Sequence, residues 1–262
     1  MSAVILQDEI VHYEVLGRGR PIIFLHGWVG SWRYWIPAMQ SASVGFRAYA
    51  LDLWGFGDTG KNTLYYTLEQ QVDLLDLFFQ AMGIGKVALV GHGLGAVIAL
   101  QYAARFHRLV DRLMVVALPE RAANLNGRLN STSPSDLADW LLGHDPIHEA
   151  VRSEANKADP SAVQTSLAAL NQIDLERLPL NLSTPCLMVY GQNDPLVSGP
   201  SIEGGNTLPE HIHQVVFEGA GHFPMLDDSS KFNRLLGDFL ALSSWESPRQ
   251  LQLKEEWKRR VR

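Results

Sequence analysis

Val87-Ala-Leu-Val-Gly-His-Gly-Leu-Gly-Ala-Val-Ile-Ala-Leu100 runs from a short apolar segment, through glycines at every second position, into a second apolar segment. The first part reads as a buried strand, and the second keeps its aliphatic residues on one helical face. Glycine at 91 and 95 allows strand and helix backbones to approach closely at the turn. A strand, a sharp turn and a helix with the spacing G-x-S-x-G form an elbow that presents a nucleophile. Here the pattern reads Gly91-His92-Gly93-Leu94-Gly95, so the central position is Gly93 and carries no hydroxyl, thiol or carboxylate. An elbow of this kind holds its central residue at positive φ, which costs a residue with a Cβ about 1–3 kcal/mol. Glycine escapes that cost.

The partners of a Ser-His-Asp apparatus lie downstream in the order acid, then histidine. Asp194 follows the apolar run Pro185-Cys-Leu-Met-Val-Tyr190, placed to accept from an imidazole N–H. His222 stands in Glu218-Gly-Ala-Gly-His-Phe-Pro-Met225 after the run Gln214-Val-Val-Phe217, and is the candidate general base. Upstream, Ile22-Ile-Phe-Leu-His-Gly-Trp28 is a strand-like run ending in His-Gly. The backbone N–H groups of Trp28 and Leu94 are the candidate oxyanion-hole donors. His26, Gly27, Trp54, His92, Trp140 and Phe223 are the candidate pocket residues, Gly93 is the candidate nucleophile position, and no residue is assigned to a metal.

Together these segments resemble the α/β-hydrolase superfamily over nearly the whole chain, from about Val4 to Leu242. Leu51-Asp-Leu-Trp-Gly-Phe-Gly-Asp-Thr59 adds to the likeness, since it looks like that family's loop after the fourth strand. The resemblance implies an α/β fold with a mostly parallel eight-stranded sheet, helices on both faces and a helical cap inserted after the sixth strand. It implies a core of 1–119 and 185–244, a cap of 120–184 that roofs the pocket, and a basic tail of 245–262. His26 and His92 occupy motif positions where family members often carry histidine for scaffold reasons.

The alternation of apolar runs with helical patterns agrees with that architecture. Residues 4–15 read as a hairpin, with strands near 21–25, 46–51, 86–90, 111–117, 185–190 and 211–217. Helices are expected near 33–40, 67–82, 94–106 and 228–243. Between Pro119 and Pro185 the pattern turns polar and helical, with Asp136-Leu-Ala-Asp-Trp-Leu-Leu142 and Ser161-Ala-Val-Gln-Thr-Ser-Leu-Ala-Ala-Leu170 as amphipathic pieces. No internal repeat interrupts this order.

At 262 residues, with 46% hydrophobic and 19% charged residues, the chain can bury a large core within one domain plus an insertion. A net charge of −6 argues against nucleic-acid binding and favours a small apolar or aromatic partner. One cysteine, Cys186, excludes an intramolecular disulfide, and its apolar surroundings mark it as a core residue. No signal-like N-terminus and no run of ~18 apolar residues is visible, so a cytoplasmic protein without a membrane span is expected. Neither a metal-ligand cluster nor a dinucleotide fingerprint appears, so no cofactor is implied. Trp28, Trp32, Tyr34 and Trp35 follow the His-Gly run and Trp54 lies in the next strand's loop, so several of these tryptophans are expected near the pocket mouth; the alternative for Trp32 and Trp35 is that they pack the first helix against the sheet. His12, His107, His144, His148, His211 and His213 read as surface or cap residues. The end of the chain, Leu251 to Arg262, has the pattern of a basic amphipathic helix or a solvated tail.

Three readings of function remain open. One is an ester, acyl or C–C bond hydrolase lacking its nucleophile. A second is a binding or regulatory pseudoenzyme. The third is a lyase or cofactor-free oxygenase in which His222 and Asp194 act as a base without a covalent intermediate.

Overall fold

Eight strands form one sheet in the order β1-β2-β4-β3-β5-β6-β7-β8 in a computed structural model that describes residues 2–122, 125–142, 148–198, 208–243 and 246–251. β1 (Ser2–Leu6) and β2 (Glu9–Gly17) form the antiparallel hairpin, and β2 pairs antiparallel with β4 (Phe46–Leu51). From β4 onward every pair is parallel: β3 (Arg20–Leu25), β5 (Val87–His92), β6 (Val110–Val116), β7 (Cys186–Gly191) and β8 (Ile212–Phe217). All six residues of β5 and of β7 are buried, as expected of strands covered on both faces. The fold class and the sheet are those expected.

Helices supply the covering layers. α2 (Leu68–Met82) starts at Thr67, whose side chain accepts from the Gln70 N–H, and stops at Gly83 in a left-handed conformation. α3 (Leu94–Arg105) leaves the elbow directly and buries nine of its twelve residues. The helix expected over 33–40 is instead a 3₁₀ turn, Trp32–Trp35, followed by α1 (Ile36–Ala42). Pro37 explains the break: it has no N–H to donate and is tolerated only in a first helical turn. The helix expected over 228–243 is α10 (Ser229–Ala241), preceded by a separate short turn, α9 (Pro224–Asp227). Trp35 packs between Phe24 of β3 and Phe232 of α10, with ring centroids 5.2 and 6.2 Å away.

Among the described residues, five helical segments lie between β6 and β7: α4 (Arg128–Ser131), α5 (Pro134–Leu142), α6 (Glu149–Ala155), α7 (Pro160–Leu170) and α8 (Arg177–Leu180). They are tied to the loops that leave the carboxyl ends of β3 and β4. Trp28 Nε1–H donates to Ser166 Oγ (3.0 Å), and Ser31 Oγ–H donates to Glu154 Oε2 (3.1 Å). Tyr66 O–H donates to Asp159 Oδ2 (2.8 Å), and Lys157 Nζ reaches the Asp58 carboxylate (3.0 Å). The insertion therefore sits over the end of the sheet where open parallel sheets bind their ligands. Among the described residues no helix is long and apolar enough to cross a membrane. The proposed amphipathic C-terminal helix lies outside the described residues beyond Leu251.

Candidate active site

Gly93 adopts φ 50°, ψ −109° between β5 and α3. The backbone is thus that of the sharp elbow even though the side chain is missing, and only glycine meets this geometry without strain. Close packing at the turn is set by its neighbours: a Cβ on Gly91 would lie 2.3 Å from the Gly95 carbonyl oxygen, and one on Gly95 2.4 Å from that of Leu25. At Gly93 the obstruction is milder and of another kind. A Cβ there would meet Cε3 and Cζ3 of the Trp28 indole, each at 3.2 Å.

Asp194 and His222 come together across twenty-eight residues of sequence, with His222 Nδ1 2.8 Å from Asp194 Oδ2 and both side chains 2% exposed. The other carboxylate oxygen, Oδ1, accepts from the N–H groups of Leu196 (2.8 Å) and Val197 (3.0 Å), which fixes the carboxylate plane. Burial alone would push the Asp194 carboxyl up. The adjacent His222, the hydrogen bond between them and the two backbone donors outweigh it and hold the group below the usual carboxylate range. An ionised Asp194 requires a proton on His222 Nδ1, so Nε2 is the ring nitrogen left to exchange a proton with a nucleophile or water. Among the described residues the N–H groups of Trp28 and Leu94 find no acceptor, and Leu94 opens the twelve-residue α3.

An elbow, a hydrogen-bonded Asp-His pair in the order of the sequence and a helical insertion between β6 and β7 accompany a match to the family model described as "Alpha/beta hydrolase family" over residues 22–235. The chain belongs to the alpha/beta hydrolase family. Within that family it is 27% identical to the pimeloyl-[acyl-carrier protein] methyl ester esterase of Aliivibrio salmonicida over 257 residues, covering 88% of this chain and 95% of the relative. The same-named esterase of Xanthomonas oryzae pv. oryzae is 24% identical, with coverage of 88% and 99%. Among solved structures, the esterase EaEST of Exiguobacterium antarcticum superposes with a TM-score of 0.79 at 20% identity, covering 92% and 99%. A serine-to-glycine mutant of the N-acyl homoserine lactonase AidH, complexed with N-hexanoyl homoserine lactone, also scores 0.79, at 18% identity, covering 91% and 96%.

Gly27, Tyr34 and His92 form a linear hydrogen-bond chain that ends on the His222 backbone. Gly27 N–H donates to Tyr34 Oη (2.7 Å), Tyr34 O–H to His92 Nδ1 (2.9 Å), and His92 Nε2–H to the His222 carbonyl (2.9 Å). These partners assign the neutral imidazole of His92, and burial, with the nearby His222, pushes it well below the usual histidine range. His26 is likewise neutral by its partners, Nδ1–H donating to the Gly27 carbonyl (2.8 Å) and Nε2 accepting from Leu53 N–H (3.0 Å). Its burial lowers it too. Both histidines have their nitrogens occupied within the scaffold.

The expected aromatic residues are distributed unevenly. Trp28 stands over the elbow on one side and, on the other, lines a cavity of about 30 Å³ with Leu129, Leu137, Val163 and Gln164 of the lid. That is room for about one water. Phe223 is 1% exposed and packs edge-on against His222 at 5.1 Å and against Tyr34 at 5.4 Å. Trp54 is wholly buried against Tyr65 (5.1 Å), and its backbone N–H donates to Gln71, so it lies in packing rather than at a pocket mouth. Trp140 is half-buried under the Arg128 guanidinium, 4.8 Å from its ring centroid.

His12, expected at the surface, is 2% exposed. It lies on β2 beneath the loop after β4, where its N–H donates to Thr59 and its Nδ1–H to Asp52 Oδ2 (2.8 Å). His213 on β8, also expected at the surface or in the cap, is buried too. His144 lies outside the described residues. His12, Asp52 and Asp58 are the one group of three among the described residues close enough to share a metal ion. Asp52, however, is wholly buried and already accepts from His12, from Asp58 N–H (3.1 Å) and from Trp32 N–H (2.9 Å). This is a knot that ties β2, β4 and the turn after β3 together.

Tyr34, Ser166, His148 and Asp227 were not singled out as site residues from the sequence. Tyr34, Ser166 and His148 reach the site through partners remote in the chain and Asp227 through Gly221 six residues before it, and only the cluster of aromatics after His26-Gly27 hinted at Tyr34.

Proposed function

We propose that this chain binds a small apolar or aromatic ester- or acyl-type molecule in a hydrolase site that lacks only its nucleophile. The bond between His222 and Asp194 carries the reading. It preserves a base with its proton on Nδ1 and a partner held ionised, an expensive buried arrangement that substrate-independent packing does not need. The esterases among its relatives support the ligand class. A carbonyl oxygen would take the N–H groups of Trp28 and Leu94, and the Gly93 elbow would bring the carbonyl carbon near His222. With no hydroxyl at position 93 no acyl-enzyme forms, so the chain as it stands is a ligand-binding protein for this chemistry.

The test is hydrolysis of a short activated aryl ester by the chain itself, by Gly93→Ser and by Gly93→Ser with His222→Ala. The expected result is a gain of at least about 10³-fold with serine, abolished when His222 is removed. No gain with serine overturns the reading.

The intact dyad also favours a second reading, in which His222 acts as a base on bound substrate or on water without a covalent intermediate. It predicts turnover by the chain as it stands that His222→Ala abolishes.

A further inference from the structure

The loop from Glu218 to Phe223 that carries His222 is fastened to the core by several hydrogen bonds: Gly219 N–H donates to Gln192 Oε1 (3.2 Å), Asn193 N–H to the Ala220 carbonyl (2.8 Å), and His92 Nε2–H to the His222 carbonyl (2.9 Å). A further fastening is the side chain of Asp227 at the end of α9, whose Oδ2 reaches back six residues to accept from Gly221 N–H at 2.8 Å. Gly221 is the residue directly before His222.

Asp227 has a second partner. Its Oδ1 accepts from Nε2–H of His148, at 3.0 Å, and His148 is the residue from which lid helix α6 starts. His148 is buried, and its Nδ1 faces the carbonyl of Leu142, the last residue of lid helix α5, at 3.3 Å. One histidine therefore joins the start of α6, beside the end of α5, to one carboxylate, and that carboxylate holds the backbone next to the candidate base. This is a hydrogen-bonded link that runs directly from the lid to the His222 loop.

We propose that His148 and Asp227 are positioning residues that make the placement of His222 depend on docking of the lid. The proposal rests on the reading of His222 as the base. A carboxylate whose two oxygens serve different elements transmits a displacement of one to the other, because it cannot keep both short contacts when either partner moves. With α5 and α6 docked, Gly221 N–H is held and the His222 ring is set against Asp194. When His148 leaves, the Asp227 carboxylate is free to rotate into solvent, which its side chain already touches at 25% exposure. Of the other lid contacts, Ser31 with Glu154 and Asp58 with Lys157 end on the loops after β3 and β4, while Asn126, whose N–H donates to the Leu196 carbonyl (3.1 Å), touches the turn that holds Asp194 and not the His222 loop itself.

The experiment uses the full chain labelled with ¹⁵N, with long-range imidazole spectra reading the His222 nitrogens, assigned by their loss in His222→Gln. His148→Ala is expected to shift or broaden the His222 signals. Asp227→Asn, which keeps an oxygen for Gly221 but weakens the link to His148, is expected to move them in the same sense. Lys157→Ala, which breaks a lid contact elsewhere, is expected to leave them in place. In a Gly93→Ser background, His148→Ala should lower kcat for the aryl ester roughly tenfold or more, since small misplacements of reacting groups are costly, with KM changed less than about twofold. Unmoved His222 signals in His148→Ala, or equal movement in Lys157→Ala, overturn the proposal. Signals that move while Gly93→Ser stays inert leave the coupling standing and remove the proposed function instead.

Discussion

Restoring a serine at Gly93 has a stability cost that can be worked from the geometry. The substitution places a Cβ at φ 50°, ψ −109°, where a side-chain-bearing residue pays about 1–3 kcal/mol of backbone strain. The new Cβ also presses on Trp28 at 3.2 Å, and the indole is not free to drift, because its Nε1–H is bound to Ser166 Oγ at 3.0 Å. Opposing both, loss of a glycine lowers the entropy of the unfolded chain, worth about 0.4–1 kcal/mol. The balance is a net destabilisation of about 1–2 kcal/mol, or several degrees in Tm for a domain of this size. Urea unfolding of the parent, Gly93→Ser and Gly93→Ala measures it, and both variants should lose stability while only serine gains ester hydrolysis. Relief of the contact separates the two causes: in a Trp28→Leu background the cost of Gly93→Ala should fall toward the backbone strain alone. Equal or greater stability of Gly93→Ser refutes the reasoning, since it would mean that the elbow imposes no strain.

Acid stability follows from the buried neutral histidines. His26 and His92 have folded pKa values below their unfolded value of about 6.5. Their contribution is complete above that pH and is lost as pH falls toward the folded values, by at most about 1.4 kcal/mol per pH unit for each. His12 has the opposite sign, raised by Asp52 despite its burial, so its contribution is present below about 6.5 and fades as pH rises through its folded value. Urea midpoints from pH 7 to pH 5 should fall, and a rise would contradict the assignment of His26 and His92. Asp52→Ala should cost about 3–5 kcal/mol, because it leaves His12 and two backbone N–H groups unpartnered; a loss under about 1 kcal/mol in urea unfolding would show that the knot is dispensable. Burial pushes the Cys186 thiol up to about 12, so it should resist a thiol-reactive disulfide reagent in the native protein and react on unfolding.

The strands and the elbow were legible because they are local signals. Apolar runs such as Ile22–Leu25 and Val87–Val90 bury as strands wherever they fall in a parallel sheet, and Gly91-His92-Gly93-Leu94-Gly95 encodes a turn by its missing Cβ atoms. Asp194 and His222 were legible because each follows such a strand at the carboxyl edge of the sheet. Trp54 misled because a tryptophan beside a site motif looks the same in sequence whether it lines a pocket or fills the core. His12 misled for a related reason: its burial comes from a loop forty residues away that covers β2. The seam of Ser166, Glu154 and His148 was silent because polar residues on lid helices have no periodic signature, and their partners lie in elements with which they share no sequence pattern.

The central claim, a hydrolase site intact but for its nucleophile, is tested most directly by intact-mass measurement after exposure to a serine-directed fluorophosphonate. The account predicts no adduct on the chain as it stands, a single adduct on Gly93→Ser, and its loss when His222→Ala is added. Failure of Gly93→Ser to take up the reagent, or a stoichiometric adduct on the unaltered chain, would contradict it.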